Sequence, residues 1–227
     1  MILVKVTLTG VDERIDPWDL VLLHEEFPFV EFGVLFSRDR QGKENRYPSK
    51  DWIEKLVDVV LFHNSQREVP MALSAHLCGH YARDVISTYH YEENDTDYIS
   101  DWQSDFKGTG IFRRVQLNRM QEYFNKICQY SIGNLLGWHR QVILQTREQF
   151  DKAPSIVDYF EYDPMKSRFS VLYDVSGGTG MLPNGWAEAV PGKFCGYAGG
   201  LNPDNVAEEL QKIAAVAGSA KIWIDME

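Results

Sequence analysis

The sequence predicts a single (β/α)8 barrel over residues 1–227, and three observations carry that expectation. Strand-like and helix-like segments alternate from end to end. The strand candidates number eight. A length of 227 residues suits eight compact βα units. A doubly wound open sheet is the rival, but it takes fewer strands and longer helices.

The elements follow in order. Ile2 to Thr9 opens the chain as an apolar strand, and a helix is expected over Pro17 to Glu26. The second strand is Val30 to Phe36. Its helix, Lys50 to Asn64, carries the stripe Trp52, Leu56, Val59 and Val60 at core spacing. Pro70 to Leu77 is the third strand, followed by a helix over Ala82 to Thr88 and a polar excursion from Glu92 to Lys107. Ile111 to Asn118 and Gln141 to Thr146 are strands four and five, each followed by a helix, Met120 to Ile132 and Glu148 to Lys152. Arg168 to Val175 is the sixth strand and runs into Ser176-Gly-Gly-Thr-Gly180. Phe194 to Ala198 is the seventh and runs into Gly199-Gly200. There Asn202 can cap, Pro203 suits a first helical position, and Val206, Leu210, Ile213 and Ala214 continue a helix over Asp204 to Ala217. Lys221 to Asp225 is the last strand.

Alternation within strands divides helix-facing from lumen-facing residues. In the third strand Met71, Leu73, Ala75 and Leu77 face the helices, and Ala72, Ser74, His76 and Cys78 face the lumen. The same phasing puts Thr7, Thr9, Glu31, Arg114, Gln116, Asn118, Gln145 and Asp174 inside. Buried charges need partners, so Arg114 and Glu31 are expected to pair.

Composition narrows the function. A net charge of −10 argues against nucleic acid or an anionic membrane as the main partner, while allowing a local anion site. Three widely spaced cysteines without a CxxC pair indicate neither a disulfide framework nor a cysteine zinc site. No apolar run approaches a membrane span, and the start reads as a strand rather than a leader. A cytoplasmic, reducing location is expected. No cofactor motif is present, and nothing sets the oligomeric state.

The two glycine turns, each following a strand, can gather backbone N–H groups around a phosphate; the second also precedes a helix. Gly177, Gly178, Gly180, Gly199 and Gly200 are the candidates; a plain tight turn is the competing reading. Asp174 stands at a strand C-terminus, where barrel enzymes keep catalytic groups, or else caps its turn. His76 is an inward base or a satisfied core histidine. His76, Cys78 and His80 offer ligand atoms at alternate positions, but no second cluster supports them, and no metal is expected. Gln116, Asn118 and Gln145 can orient hydroxyls or satisfy one another. Arg46, near Arg38, Arg40 and Lys43, belongs to a solvated loop or to a lid that clamps an anion.

Several segments together resemble phosphoribosylanthranilate isomerases. Ala198-Gly-Gly-Leu-Asn-Pro-Asp-Asn-Val206 is similar to that family's seventh-strand phosphate loop, and Leu172-Tyr-Asp-Val-Ser-Gly-Gly-Thr-Gly180 to its sixth-strand segment. Val115-Gln-Leu-Asn118 resembles the family's Val-Gln-Leu-His. Phe32-Gly-Val-Leu-Phe-Ser37 with Asn45-Arg-Tyr-Pro-Ser49 resembles its second strand and loop, and Leu8-Thr-Gly-Val11 falls where the family has Ile-Cys-Gly-Ile. The resemblance implies a barrel performing an Amadori-type isomerisation. It makes Asp174 the general acid, Arg46 the contact to a substrate carboxylate, and Gly199 and Gly200 phosphate-binding backbone. At the position of the family's base cysteine stands Thr9, whose hydroxyl is far too weakly acidic to act as a thiolate does. The Ser-Gly that completes the family's phosphate cup would begin where Asp225-Met-Glu227 stands, so the anion is expected to be held differently or with part of the cup lacking.

The expectation is therefore an isomerase-type enzyme using proton transfer on a small phosphorylated or anionic metabolite, but not the family's own reaction. The alternative is a non-catalytic barrel that binds a ligand or a protein. A lyase on the same anion site is a third reading; a Schiff base would need a lumenal lysine near the top, and Lys5 lies too early in its strand.

Overall fold

The computed structural model describes residues 1–86, 101–106, 108–119, 141–147 and 168–226. Eight parallel strands close on themselves in the order β1 to β8. They are β1 (Ile2–Thr9), β2 (Val30–Phe36), β3 (Ala72–Leu77), β4 (Arg114–Leu117), β5 (Gln141–Thr146), β6 (Phe169–Asp174), β7 (Phe194–Ala198) and β8 (Lys221–Met226). The described helices are α1 (Pro17–Glu26), α2 (Lys50–Gln66), α3 (His80–Ile86), α4 (Asp101–Asp105) and α5 (Val206–Ala217), with a 3-10 turn at Thr109–Ile111. The expected helices over 120–132 and 148–152, residues 87–88, and most of the excursion over 92–107 lie outside the described residues.

Local chemistry sets the boundaries. Asp16 caps α1 through a bond from the Trp18 N–H, and Pro17 supplies a fixed φ at the first turn. Ser49 caps α2 by accepting from the Trp52 N–H, and the Trp52 indole bonds the Ile15 carbonyl at 2.9 Å. The stripe Trp52, Leu56, Val59 and Val60 is core, as its spacing predicts. Residues 111–113 do not extend β4: Ile111 completes the 3-10 turn, and the strand begins at Arg114. The last helix starts at Val206 instead of Asp204. Asn202 Oδ1 takes the Asp204 N–H and Asn205 Oδ1 takes the Asn202 N–H, both at 2.9 Å, so a side-chain-locked turn precedes it.

The barrel has two apolar shells. Phe32, Val34, Phe36, Leu73, Leu77, Val115, Leu117, Val142, Leu144, Tyr197, Ile222 and Ile224 lie in the main buried cluster, where strand alternation puts them on the helix side. Ile143, Leu172, Ala198 and Trp223 form a second cluster inside the barrel. Gly196 makes this possible: a Cβ there would lie 2.2 Å from the Trp223 ring.

Charge fills the other side of the lumen. Glu31 accepts from Lys5 Nζ at 3.0 Å, Thr7 Oγ1 at 3.0 Å and Arg114 at 2.6 Å, as the expected pairing requires. Burial raises the Glu31 pKa, but the charges of Arg114 and Lys5 and the hydrogen bonds from Lys5 and Thr7 outweigh it and hold the carboxyl below the ordinary value. The Arg114 guanidinium lies 4.2 Å from the Trp223 ring centroid, joining the polar and apolar halves.

Candidate active site

At the C-terminal rim the strands end around a cavity of about 380 Å³. The candidate catalytic, substrate-binding and phosphate-binding residues line it: Thr9, Arg46, His76, Gln116, Asn118, Gln145, Asp174 and the five glycines at 177, 178, 180, 199 and 200. Side-chain alternation and a shared strand-end position bring them together.

Asp174 closes β6 and is 4% exposed. Its Oδ1 accepts from Ser176 Oγ at 2.6 Å and from the Gly177 N–H at 3.1 Å. Its Oδ2 accepts from Gln145 Nε2 at 2.5 Å. Two carboxylate oxygens offer about four acceptor positions, so among the described residues three are used and one remains. Gln145 is fixed in turn, because its Oε1 accepts the Arg119 N–H at 2.8 Å.

Thr9 and His76 approach each other across Gly33. A Cβ on Gly33 would lie 2.5 Å from Thr9 Oγ1 and 3.0 Å from His76 Nε2, so glycine is needed there. Thr9 Oγ1 donates to Asp225 Oδ1 at 2.5 Å. His76 is 1% exposed, and burial, with Arg114 and Arg46 acting the same way against the opposing charge of Glu31, pushes its pKa down to about 3. Its Nδ1 lies 3.4 Å from Gln116 Nε2. From there a chain continues: Gln116 Nε2 to Asn118 Oδ1 at 2.9 Å, and Asn118 Nδ2 to Cys78 Sγ at 3.1 Å. Gln116 and Asn118 thus satisfy one another in part. Burial pushes the Cys78 thiol up, against the hydrogen bonds from Asn118 and Tyr47, so it is no ready thiolate.

The loop after β2 folds over the rim. Arg46 has φ 74° and is held by its N–H to Asp12 Oδ2 at 2.8 Å. Its side chain crosses Gly10, where a Cβ would come within 2.7 Å of the Arg46 Nε. Arg40, Arg83 and Arg119 join it in the cavity wall. Sequence reasoning missed Arg83, Arg119, Tyr47 and Asp225. The signal for Asp225 is its position at the end of β8, facing the same way as Thr9 and Asp174.

The glycine turns divide the expected anion contacts. The N–H groups of Gly177 and Gly178 are spent on Asp174 and Ser176 Oγ. The Arg147 guanidinium packs so closely that a Cβ on Gly177 would lie 2.2 Å from it. Gly180, Gly199 and Gly200 line the cavity, and their N–H groups have no hydrogen-bond acceptor among the described residues.

His80 does not join His76 and Cys78. It bonds Asp101 at 2.7 Å and groups with Asp84 and Asp101, the one cluster of ligand-type atoms within 4.8 Å of one another among the described residues. The Arg38 guanidinium donates to Asp101 at 3.2 Å and lies 3.0 Å from His80 Nε2, so a cationic side chain already lies against that cluster.

No family model matches the chain, and no curated protein matches it. Among solved structures, a phosphoribosyl anthranilate isomerase from Thermus thermophilus aligns over 98% of this chain and 86% of its own, with 15% identity and a TM-score of 0.51. A GH113 β-1,4-mannanase aligns over 99% and 88%, with 11% identity and a TM-score of 0.40. The first likeness is one of fold, the (β/α)8 barrel; the second is too distant to carry an argument.

Proposed function

We propose that the protein is an enzyme that binds a small phosphorylated or otherwise anionic metabolite in the rim cavity and moves a proton on it. One observation carries the reading: a chain of net charge −10 sets Arg40, Arg46, Arg83 and Arg119 around one cavity at the strand C-termini. The backbone N–H groups of Gly199 and Gly200 supply further anion contacts on the opposite wall. Asp174, with one acceptor position left among the described residues, carries the proton.

The resemblance to phosphoribosylanthranilate isomerases makes their substrate the first to assay, and turnover is expected to be absent or very weak. Thr9 stands in place of the base, and losing a positioned general base costs about 10²- to 10⁴-fold. Robust turnover by the unmodified protein would overturn this. The broader reading is tested by titrating ribose 5-phosphate while following the Gly199 and Gly200 amide signals, alongside an activity screen over phosphorylated sugars and amino sugars. Silent amides at about 10 mM, far above ordinary metabolite affinities, would remove the anion site.

A second reading, a non-catalytic binding barrel, is favoured by the bond from Thr9 to Asp225 and the three donors on Asp174. Binding of ribose 5-phosphate together with no turnover of any compound in the screen would select it.

A further inference from the structure

Two buried polar atoms of the described cavity lining lack a hydrogen-bond partner: His76 Nε2 and Gln116 Oε1. Their relation fixes the state of the histidine. The Gln116 amide nitrogen donates to Asn118 Oδ1 at 2.9 Å and lies 3.4 Å from His76 Nδ1. An amide N–H only donates, so Nδ1 must accept. Turning the Gln116 amide over would set its oxygen against the Asn118 oxygen. In the structure Asn118 holds this orientation: its Nδ2 donates to Cys78 Sγ at 3.1 Å, and the thiol donates to the His76 carbonyl at 3.8 Å. A neutral imidazole whose Nδ1 accepts carries its proton on Nε2. Nε2 therefore carries a buried N–H, unused among the described residues, beside Gly33 and Thr9.

We propose that His76 is a hydrogen-bond donor to the metabolite and not a base: its Nε2–H binds a carbonyl or hydroxyl oxygen, and Gln116 is the positioning residue that fixes this tautomer. The assignment rests on the cavity being the substrate site. The charged groups around the ring agree with a neutral state. Burial disfavours a second proton most strongly, Arg114 and Arg46 act in the same direction, and only Glu31 favours one. A neutral imidazole N–H suits an oxygen on which negative charge develops, because it donates without being consumed by the charge of a resting ion pair. The ligand class is accordingly a metabolite with a carbonyl or hydroxyl oxygen set apart from its anionic group. The anionic end reaches the arginines together with Gly199 and Gly200, and the oxygen reaches His76.

The test uses the intact protein labelled with ¹⁵N-histidine. Long-range ¹⁵N–¹H correlation should show Nε2 as the protonated nitrogen and Nδ1 as the bare one, unchanged between about pH 5 and pH 8. Ribose 5-phosphate should then shift the Nε2 resonance, and His76→Ala should weaken its binding about tenfold. Gln116→Glu, whose carboxylate accepts from Nδ1–H, should invert the tautomer. Gln116→Met, close in volume, should give a mixture if the charged variant does not fold. A proton on Nδ1, or titration within that range, overturns the donor role even if the Gly199 and Gly200 amides respond to the ligand. The correct tautomer with responding glycines and an unmoved Nε2 also overturns it. Silence of both glycines and histidine removes the anion site, and the proposal with it.

Discussion

Asp174 shows how one residue can be both chemistry and structure. The sequence alone leads to the expectation that Asp174→Asn spares the fold, because rim residues usually serve function. The three donors around the carboxylate change that expectation. An asparagine must turn its NH2 toward either Gln145 Nε2 or the Ser176 and Gly177 donors, which leaves buried donors unpaired at about 1–3 kcal/mol. A lowered thermal midpoint together with lost activity is therefore expected. An unchanged midpoint would show that the network relaxes. The buried histidines set the acid side of the stability profile. The His76 pKa falls from 6.5 to about 3 on folding, and burial also lowers that of His24. Below about pH 6.5 the unfolded chain takes up protons that the folded chain refuses. Stability is thus full above that pH and falls as pH drops toward 3, by up to about 1.4 kcal/mol per pH unit for each such proton. Denaturant melts across this window should show the loss, and His76→Gln should flatten the curve. A profile level down to about pH 4 would contradict the neutral, buried ring.

At the scale of elements, glycine placement inside strands decides what the barrel can hold. Gly33 in β2 leaves room for Thr9 and His76, and Gly196 in β7 leaves room for Trp223. Both substitutions to alanine overpack, at about 1–3 kcal/mol, but their consequences differ. Gly33→Ala pushes directly on His76 and should alter the site, read as a shifted His76 ring signal. Gly196→Ala strikes the apolar plug below it and should lower stability while leaving that signal nearly in place. Equal effects on both readouts would mean that plug and rim move together. The strand alternation that predicts these positions is legible because period two is a local property. The start of α5 is not legible in the same way. Asn202, Pro203 and Asp204 read as a helix start, whereas the Asn202 and Asn205 side chains capture the backbone first and delay the helix to Val206.

For the whole molecule, charge is distributed against its own average. Acidic residues dominate the sequence, yet arginines from the β2, β3 and β4 ends meet at one rim. A small anion drawn to that cavity should bind more weakly as salt rises, because screening shortens to about 8 Å at physiological ionic strength. Isothermal titration with ribose 5-phosphate at low and high sodium chloride checks this, and salt-independent binding would point to a neutral contact instead. Among the described residues, no helix is long and apolar enough to cross a membrane. The sequence by itself determined the closed barrel, the inward set Glu31, Arg114, His76, Gln145 and Asp174, and the rim as the place where candidates meet. Those follow from periodicities of two and 3.6 residues and from the rule that strand ends share one face. Tertiary structure alone decided who bonds to whom. Thr9 finds Asp225 across 216 positions, Gln145 takes Asp174, and the Gly177 and Gly178 N–H groups are spent inside their own turn. A hydrogen bond is set by the direction and distance of two groups to within fractions of an ångström. Residue type and spacing bring those groups to the same rim but do not fix that geometry.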